Sequence, residues 1–207
     1  MLNESTYVAL GDSTGAGLGA GGSGGYPERL LRRLRPDHPG MRLLNLCESG
    51  ATTADLIERQ LPYALETRPT LITIGIGIND LGLQHPDDAF ALSLEEVVVK
   101  LARLRAPIVL ANLPDLALSP AIAHLVPRQL YEKRIEMFNE HVTATAARHG
   151  LGLVDLYRLS REILPGHPEL FSADGFHPSA LGYEAWAERM LPIVAAALGG
   201  KGMVSSA

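Results

Sequence analysis

Apolar residues along this chain gather into short runs with almost no polar alternation, at positions 7–10, 43–46, 71–78, 107–111 and 151–156. Runs of that length and character suit strands covered on both faces. Between them lie helical patterns over 27–34, 52–65, 93–104 and 128–149, and a last one over 178–198. Strands alternating with helices predict a parallel sheet with helices on both sides. In such a sheet the ligand crevice opens at the carboxyl ends of the strands. The loops that begin near Gly11, Cys47, Gly77, Asn112 and Tyr157 are therefore where chemistry belongs. No internal repeat is visible.

The first of those loops receives a serine. Tyr7-Val8-Ala9-Leu10-Gly11-Asp12-Ser13-Thr14-Gly15 runs from a strand straight into a glycine-flanked turn, and glycines continue to Gly25, a loop open enough for substrate to approach its backbone. A serine there serves equally as a turn former or helix N-cap. The five residues Gly11 to Gly15 also satisfy the G-x-S-x-G nucleophile-elbow rule, but that elbow follows several strands and here one precedes. Near the other end, Asp174-Gly175-Phe176-His177-Pro178 places a carboxylate three residues before an imidazole. An aspartate at that spacing can hold one ring nitrogen and leave the other to face a hydroxyl. Two more strand ends carry hydrogen-bond donors: Gly50, ahead of a helix capped by Thr52 or Thr53, and Asn79 in Gly77-Ile78-Asn79-Asp80. With the Ser13 N–H they make a set suited to a developing oxyanion, although Gly50 alone reads as a turn glycine and Asn79 alone as a turn former.

Composition narrows the partners. The 207 residues are 46% hydrophobic, enough for one core, and the expected organisation is a single domain over 1–198 with a flexible tail over 199–207. A net charge of -5, with basic residues clustered only at Arg29, Arg32, Arg33 and Arg35, argues against nucleic acid or an anionic membrane; that cluster reads as the solvated face of a helix. The lone Cys47 forms no internal disulfide, and no Cys/His cluster suggests a metal, so none is expected. The opening Met1-Leu2-Asn3-Glu4-Ser5 lacks the features of a secretory signal, which predicts a cytoplasmic protein, and no apolar run is long enough for a transmembrane segment. His85, His124 and His167, with Asn112 and Asp155, read as surface or turn residues, and Ile135, Met137 and Phe138 as core.

Taken together the motifs resemble the SGNH hydrolases, also called GDSL-type esterases and lipases. The blocks are Gly11-Asp12-Ser13, a second centred on Gly50, Gly77-x-Asn79-Asp80, and Asp174-x-x-His177, in that order over nearly the whole chain. Thr14 stands where the motif's name places leucine, a position with no part in the triad. The resemblance implies a flavodoxin-like three-layer α/β/α sandwich with a parallel five-stranded sheet. It also implies Ser13 as nucleophile, Asp174 and His177 completing a triad, and Ser13, Gly50 and Asn79 forming the oxyanion hole, with no cofactor. The expected activity is hydrolysis of short- to medium-chain acyl esters through an acyl-serine intermediate; thioesters, lysophospholipids and acetylated carbohydrates are alternative substrates on the same site. Acyl preference would reside in segments 14–26, 81–93, 114–127 and 160–172. A non-catalytic nucleotide-binding domain is the remote alternative: Gly15-x-Gly17-x-x-Ala20 fits a loose dinucleotide fingerprint, but the signal is weak because the glycines do not run directly into a helix and no acidic residue follows at the usual distance. Oligomeric state is not legible in the sequence.

Overall fold

The structure, a computed structural model, describes residues 5–123, 125 and 127–199; His124 and the tail from 200 onward lie outside the described residues. Five parallel strands form the sheet, in the order β2-β1-β3-β4-β5. They are β1 (Ser5–Gly11), β2 (Met41–Asn45), β3 (Leu71–Gly75), β4 (Ile108–Ala111) and β5 (Gly152–Val154). That order makes this a doubly wound, flavodoxin-like α/β fold, and it puts β1 and β3 side by side at the centre.

Alternation along the strands divides the core into two layers. Val8, Leu10, Ile72 and Ile74 face one way, Tyr7, Ala9 and Leu71 the other, and all are buried. The first layer packs on Leu56, just after α3 (Thr53–Asp55), and on α4 (Leu61–Leu65), α6 (Asp87–Ala102) and α7 (Arg128–His149), where Phe90 and Phe138 stack at 4.5 Å. The second packs on α2 (Tyr26–Leu34), α8 (Leu156–Ile163) and α9 (Ala180–Gly199). Two short helices, α1 (Ser13–Ala16) and α5 (Ile78–Gly82), follow β1 and β3 directly at the crevice edge.

Several elements differ from the expected ones, each for a local reason. The helix expected over 52–65 is interrupted by a π-helical turn, Leu56–Gln60, just before Pro62, whose missing N–H and bulky ring break the regular ladder. The helix expected from 93 begins at Asp87, after Pro86, with Asp87 and Asp88 favouring its positive N-terminal end. Asp155 ends β5 by accepting the Arg158 N–H at 3.1 Å, which starts α8 inside a stretch that reads as strand and loop. Ile135 and Phe138 are core, whereas Met137 is 37% exposed.

The arginine cluster also needs correction. Arg32 is exposed as expected, but Arg29 is only 1% exposed. Its guanidinium donates to Gly25 O at 3.0 Å and to Ser23 Oγ at 2.9 Å, lies over the Tyr183 ring, and sits 3.1 Å from Glu184 Oε1 without hydrogen-bond alignment at Nε. Arg29 thus clamps the glycine-rich loop to α9. Arg29→Met is expected to lower unfolding free energy by roughly 1.5–3 kcal/mol, since charge-assisted hydrogen bonds to partly buried carbonyls are lost. A urea-denaturation midpoint close to that of the wild type would refute the clamp.

Candidate active site

The end of β1 is fixed from both sides. Gly11 donates its N–H to Gln60 Oε1 at 2.9 Å and accepts from Gln60 Nε2 at 2.8 Å, so a buried side-chain amide acts as a piece of neighbouring strand. Asp12 then caps α1, accepting from the Thr14 N–H at 2.9 Å and the Thr14 hydroxyl at 2.8 Å. Among the described residues, its other carboxylate oxygen is buried without a hydrogen-bond partner. Burial pushes the Asp12 carboxyl up to about 6, against the opposing bonds from Thr14 and the nearby His177. Thr14, the departure from the motif's leucine, therefore supplies a hydroxyl to a carboxylate that burial would otherwise leave poorly solvated. Ser13 is the first residue of α1 and is 7% exposed.

His177 reaches Ser13 from the far end of the chain. A tight turn holds its segment: the Ser172 N–H donates to His177 O at 2.8 Å, and Phe171 pairs with Pro178. Asp174 Oδ1 accepts from Ser172 Oγ (2.7 Å), the Phe176 N–H (2.8 Å) and the His177 N–H (2.9 Å). Asp174 Oδ2 is 2.8 Å from His177 Nδ1, and His177 Nε2 is 3.0 Å from Ser13 Oγ. Desolvation raises the Asp174 pKa, but the bonds from His177, Phe176 and Ser172 outweigh it and hold the carboxyl well below the usual range.

The glycine-rich loop behind this turn is not the open substrate approach that its composition suggests. Gly19 packs against the His177 segment with φ of +87°, and a Cβ there would come within 2.6 Å of Pro178 O and 3.0 Å of His177 Cβ. Tyr183 ties the loop down further by donating to Leu18 O at 2.8 Å. The loop therefore backs the imidazole, and Arg29 holds it there.

Gly50, in the loop after β2, and Asn79, in α5, belong to neighbouring segments stitched together. Asn79 Nδ2 donates to Ala51 O at 2.9 Å, which fixes the amide and leaves its second N–H available. Buried Asp80 accepts from the Thr53 N–H at 3.0 Å and the Thr53 hydroxyl at 2.6 Å, pinning the start of α3 beside α5. Gly50 is exposed, with φ of +82°, a conformation that favours glycine. Among the described residues, the backbone N–H groups of Ser13 and Gly50 have no hydrogen-bond partner.

Residues 9–185 match the model of the GDSL-like lipase/acylhydrolase family. The chain belongs to that family. Esterase TesA of Pseudomonas aeruginosa is 29% identical over 188 residues, covering 90% of this chain and 86% of that protein. A GDSL-like esterase of Mycobacterium tuberculosis, Rv1075c, is 28% identical over 180 residues, covering 85% of this chain and 57% of the longer relative. A crystal structure of TesA superposes with a TM-score of 0.77 at 26% identity, covering 93% of this chain and 99% of that one.

The remaining polar residues of this GDSL-family chain sort themselves out. Asn112 Nδ2 donates to Asp155 Oδ1 at 2.9 Å and Asn112 Oδ1 accepts the Tyr157 N–H at 3.0 Å, a cross-link between β4 and α8. His167 pairs with Glu169 on the surface. Gln60 escaped sequence reasoning, although one polar side chain on the buried face of an apolar helix was the available signal. Among the described residues no group of His, Cys, Asp and Glu is arranged to hold a metal, and no helix is long and apolar enough to cross a membrane.

Proposed function

We propose that the protein is a serine esterase acting on small acyl esters, with Ser13 as nucleophile, His177 as general base and Asp174 orienting the imidazole. The hydrogen-bonded chain from Asp174 through His177 to Ser13 carries this reading. His177 Nε2 takes the Ser13 proton as Oγ attacks the ester carbonyl, and then protonates the departing alcohol. Water attacks the acyl-serine by the same route in reverse. The Ser13 and Gly50 N–H groups and the second Asn79 amide hydrogen receive the oxyanion that forms at each addition step. Membership of an acylhydrolase family and the likeness to an esterase of 29% identity support the same activity.

A panel of p-nitrophenyl esters from acetate to palmitate, with a medium-chain acyl-CoA and an acetylated sugar beside it, tests the proposal and ranks the acyl classes. The short- to medium-chain p-nitrophenyl esters should be the best substrates. Asn79→Ala is expected to lower kcat about 10²–10³-fold with little change in KM, because the lost donor acts mainly on the charge of the transition state. A loss confined to KM would remove Asn79 from the oxyanion hole.

A further inference from the structure

Beside the catalytic serine lies a narrow pocket of about 30 Å³, lined by His177 and by Thr14, the residue that follows Ser13. Ile78, Phe176 and Trp186 are among its apolar walls. The polar side chains around it are already engaged. The Thr14 hydroxyl donates to Asp12 Oδ1 at 2.8 Å, the Ser119 hydroxyl donates to Gly175 O at 2.7 Å, and the Asp115 side chain has no exposed surface. A hydrocarbon chain fits such a lining, whereas a polar group would give up water for no partner but the imidazole. Ser13 Oγ is 3.0 Å from His177 Nε2, so an acyl group carried on Ser13 begins its chain beside two of the pocket's walls.

Trp186 governs the depth of this pocket. It is one turn after Gly182 on the same face of α9, and both residues line the pocket. A helical side chain lies over the turn before its own Cα, which carries the indole toward Gly182 and the pocket floor. A second cavity, of about 10 Å³, lies beyond it at the ends of β3 and β4, against Gly75 and Ala111. The two cavities share four walls, Thr14, Ile78, Pro114 and Trp186. Trp186 has the largest side chain of the four. It is also the one that can be cut back without touching the Asp12 cap, which Thr14 completes, or the neighbour of Asn79, which is Ile78. A water- or methyl-sized group needs roughly 10–15 Å³, so the pocket above the indole admits about two such groups.

We infer that this pocket takes the acyl arm of the ester and that Trp186 sets its length limit, so that the protein prefers short unbranched acyl groups, acetyl to butyryl in size. The inference rests on the serine-esterase reading above and names the substrate class for that site. The acyl arm suits the pocket better than the alcohol does. It stays joined to Ser13 Oγ through both halves of the reaction, whereas the alcohol has to leave after the first. A narrow pocket costs nothing in turnover when it holds the group that stays. The volume fixes the size: about two methyl-sized groups beyond the carbonyl fill it, and a longer chain meets the indole.

Two substrate series test it on wild type, Trp186→Leu and Trp186→Phe. One varies the acyl chain, as p-nitrophenyl acetate, butyrate, hexanoate and octanoate; the other varies the alcohol, as methyl, butyl and hexyl butyrate. Wild type should lose at least about tenfold in kcat/KM between butyrate and octanoate, because each methylene that does not fit is costly, and should change by less than about threefold along the alcohol series. Trp186→Leu joins the pocket to the second cavity and should raise the octanoate-to-butyrate ratio at least about tenfold. Trp186→Phe, the milder change at a buried position, should move that ratio the same way by less, and it keeps the test alive where Trp186→Leu does not fold. A wild type that takes octanoate as readily as butyrate overturns the inference, as does a length limit that falls on the alcohol. Folded variants that slow every chain length equally overturn it too, since that is what a purely structural tryptophan would give. Absence of Ser13-dependent hydrolysis throughout would remove the esterase reading and this inference with it, whereas Ser13-dependent hydrolysis with a flat acyl profile would remove the pocket assignment alone.

Discussion

Ser13→Ala is expected to lower kcat on p-nitrophenyl butyrate by at least about 10³-fold while the protein remains folded. The expectation is large because no other hydroxyl stands where Ser13 Oγ does, 3.0 Å from His177 Nε2. Residual turnover would come from the oxyanion donors and binding, which survive the change. Folding should be little affected: among the described residues the serine hydroxyl bonds His177 alone, and alanine is well tolerated at the first position of a helix. The Asp12 cap and its bonds to Thr14 do not involve the Ser13 side chain. Thermal unfolding within a few degrees of wild type, together with lost turnover, is the expected pair of results. A folded Ser13→Ala protein that retains most of its activity would end the nucleophile assignment.

The sheet was legible because its strands are unusually plain. Val8, Leu10, Ile72, Ile74, Ile108 and Leu110 on one face and Tyr7, Ala9, Leu71 and Val109 on the other are all buried, and a strand with both faces covered has little room for polar alternation. Extents were harder. The apolar run through 71–78 continues past the end of β3, because Gly77 turns the chain with φ of +119° and Ile78 opens α5. Apolarity alone does not distinguish a strand from the buried helix that follows it. Arg29 shows the reverse error. Arg32 is solvated, whereas Arg29 donates to Ser23 and Gly25 of the loop just before its helix and, across 151 positions, to Ala180 O of α9, a contact that no local pattern marks.

Within the site, the residues that announce themselves are those whose chemistry depends on local spacing. Asp174 and His177 are three residues apart, and the turn that joins them is built from their own backbone N–H groups. Ser13 and Asn79 lie in α1 and α5, the short helices that follow β1 and β3, so the sheet delivers them to the crevice. The supporting residues are different in kind. Gln60 grips Gly11 across 49 positions, Asp80 grips Thr53 across 27, and the loop after β4 folds over the Asp174 turn where Ser119 and Ala121 donate to Gly175 O. No local pattern marks such contacts.

Asp174→Asn is expected to lower kcat by about 10⁴-fold, an effect comparable to loss of the nucleophile even though Asp174 touches no substrate atom in the proposed mechanism. The amide keeps an oxygen that accepts from Ser172, Phe176 and His177 backbone or hydroxyl donors, so the turn can persist. What changes is the face toward His177 Nδ1, now 2.8 Å from Oδ2. If an N–H occupies that face, it favours the ring tautomer with the proton on Nε2, which cannot accept the Ser13 proton. The stability consequence is smaller, since Asp174 is 45% exposed and solvent screens its interactions. Its sign is nevertheless fixed. A carboxyl held below its unfolded value stabilises the fold above the ordinary aspartate range near pH 4 and loses that contribution as pH falls through the depressed native value. The gap in unfolding midpoint between wild type and Asp174→Asn should therefore be present at pH 7 and shrink progressively below about pH 4. A gap that widened in acid would contradict the depressed carboxyl, and near-normal kcat in a folded Asp174→Asn protein would show that His177 keeps its working tautomer without help from Asp174.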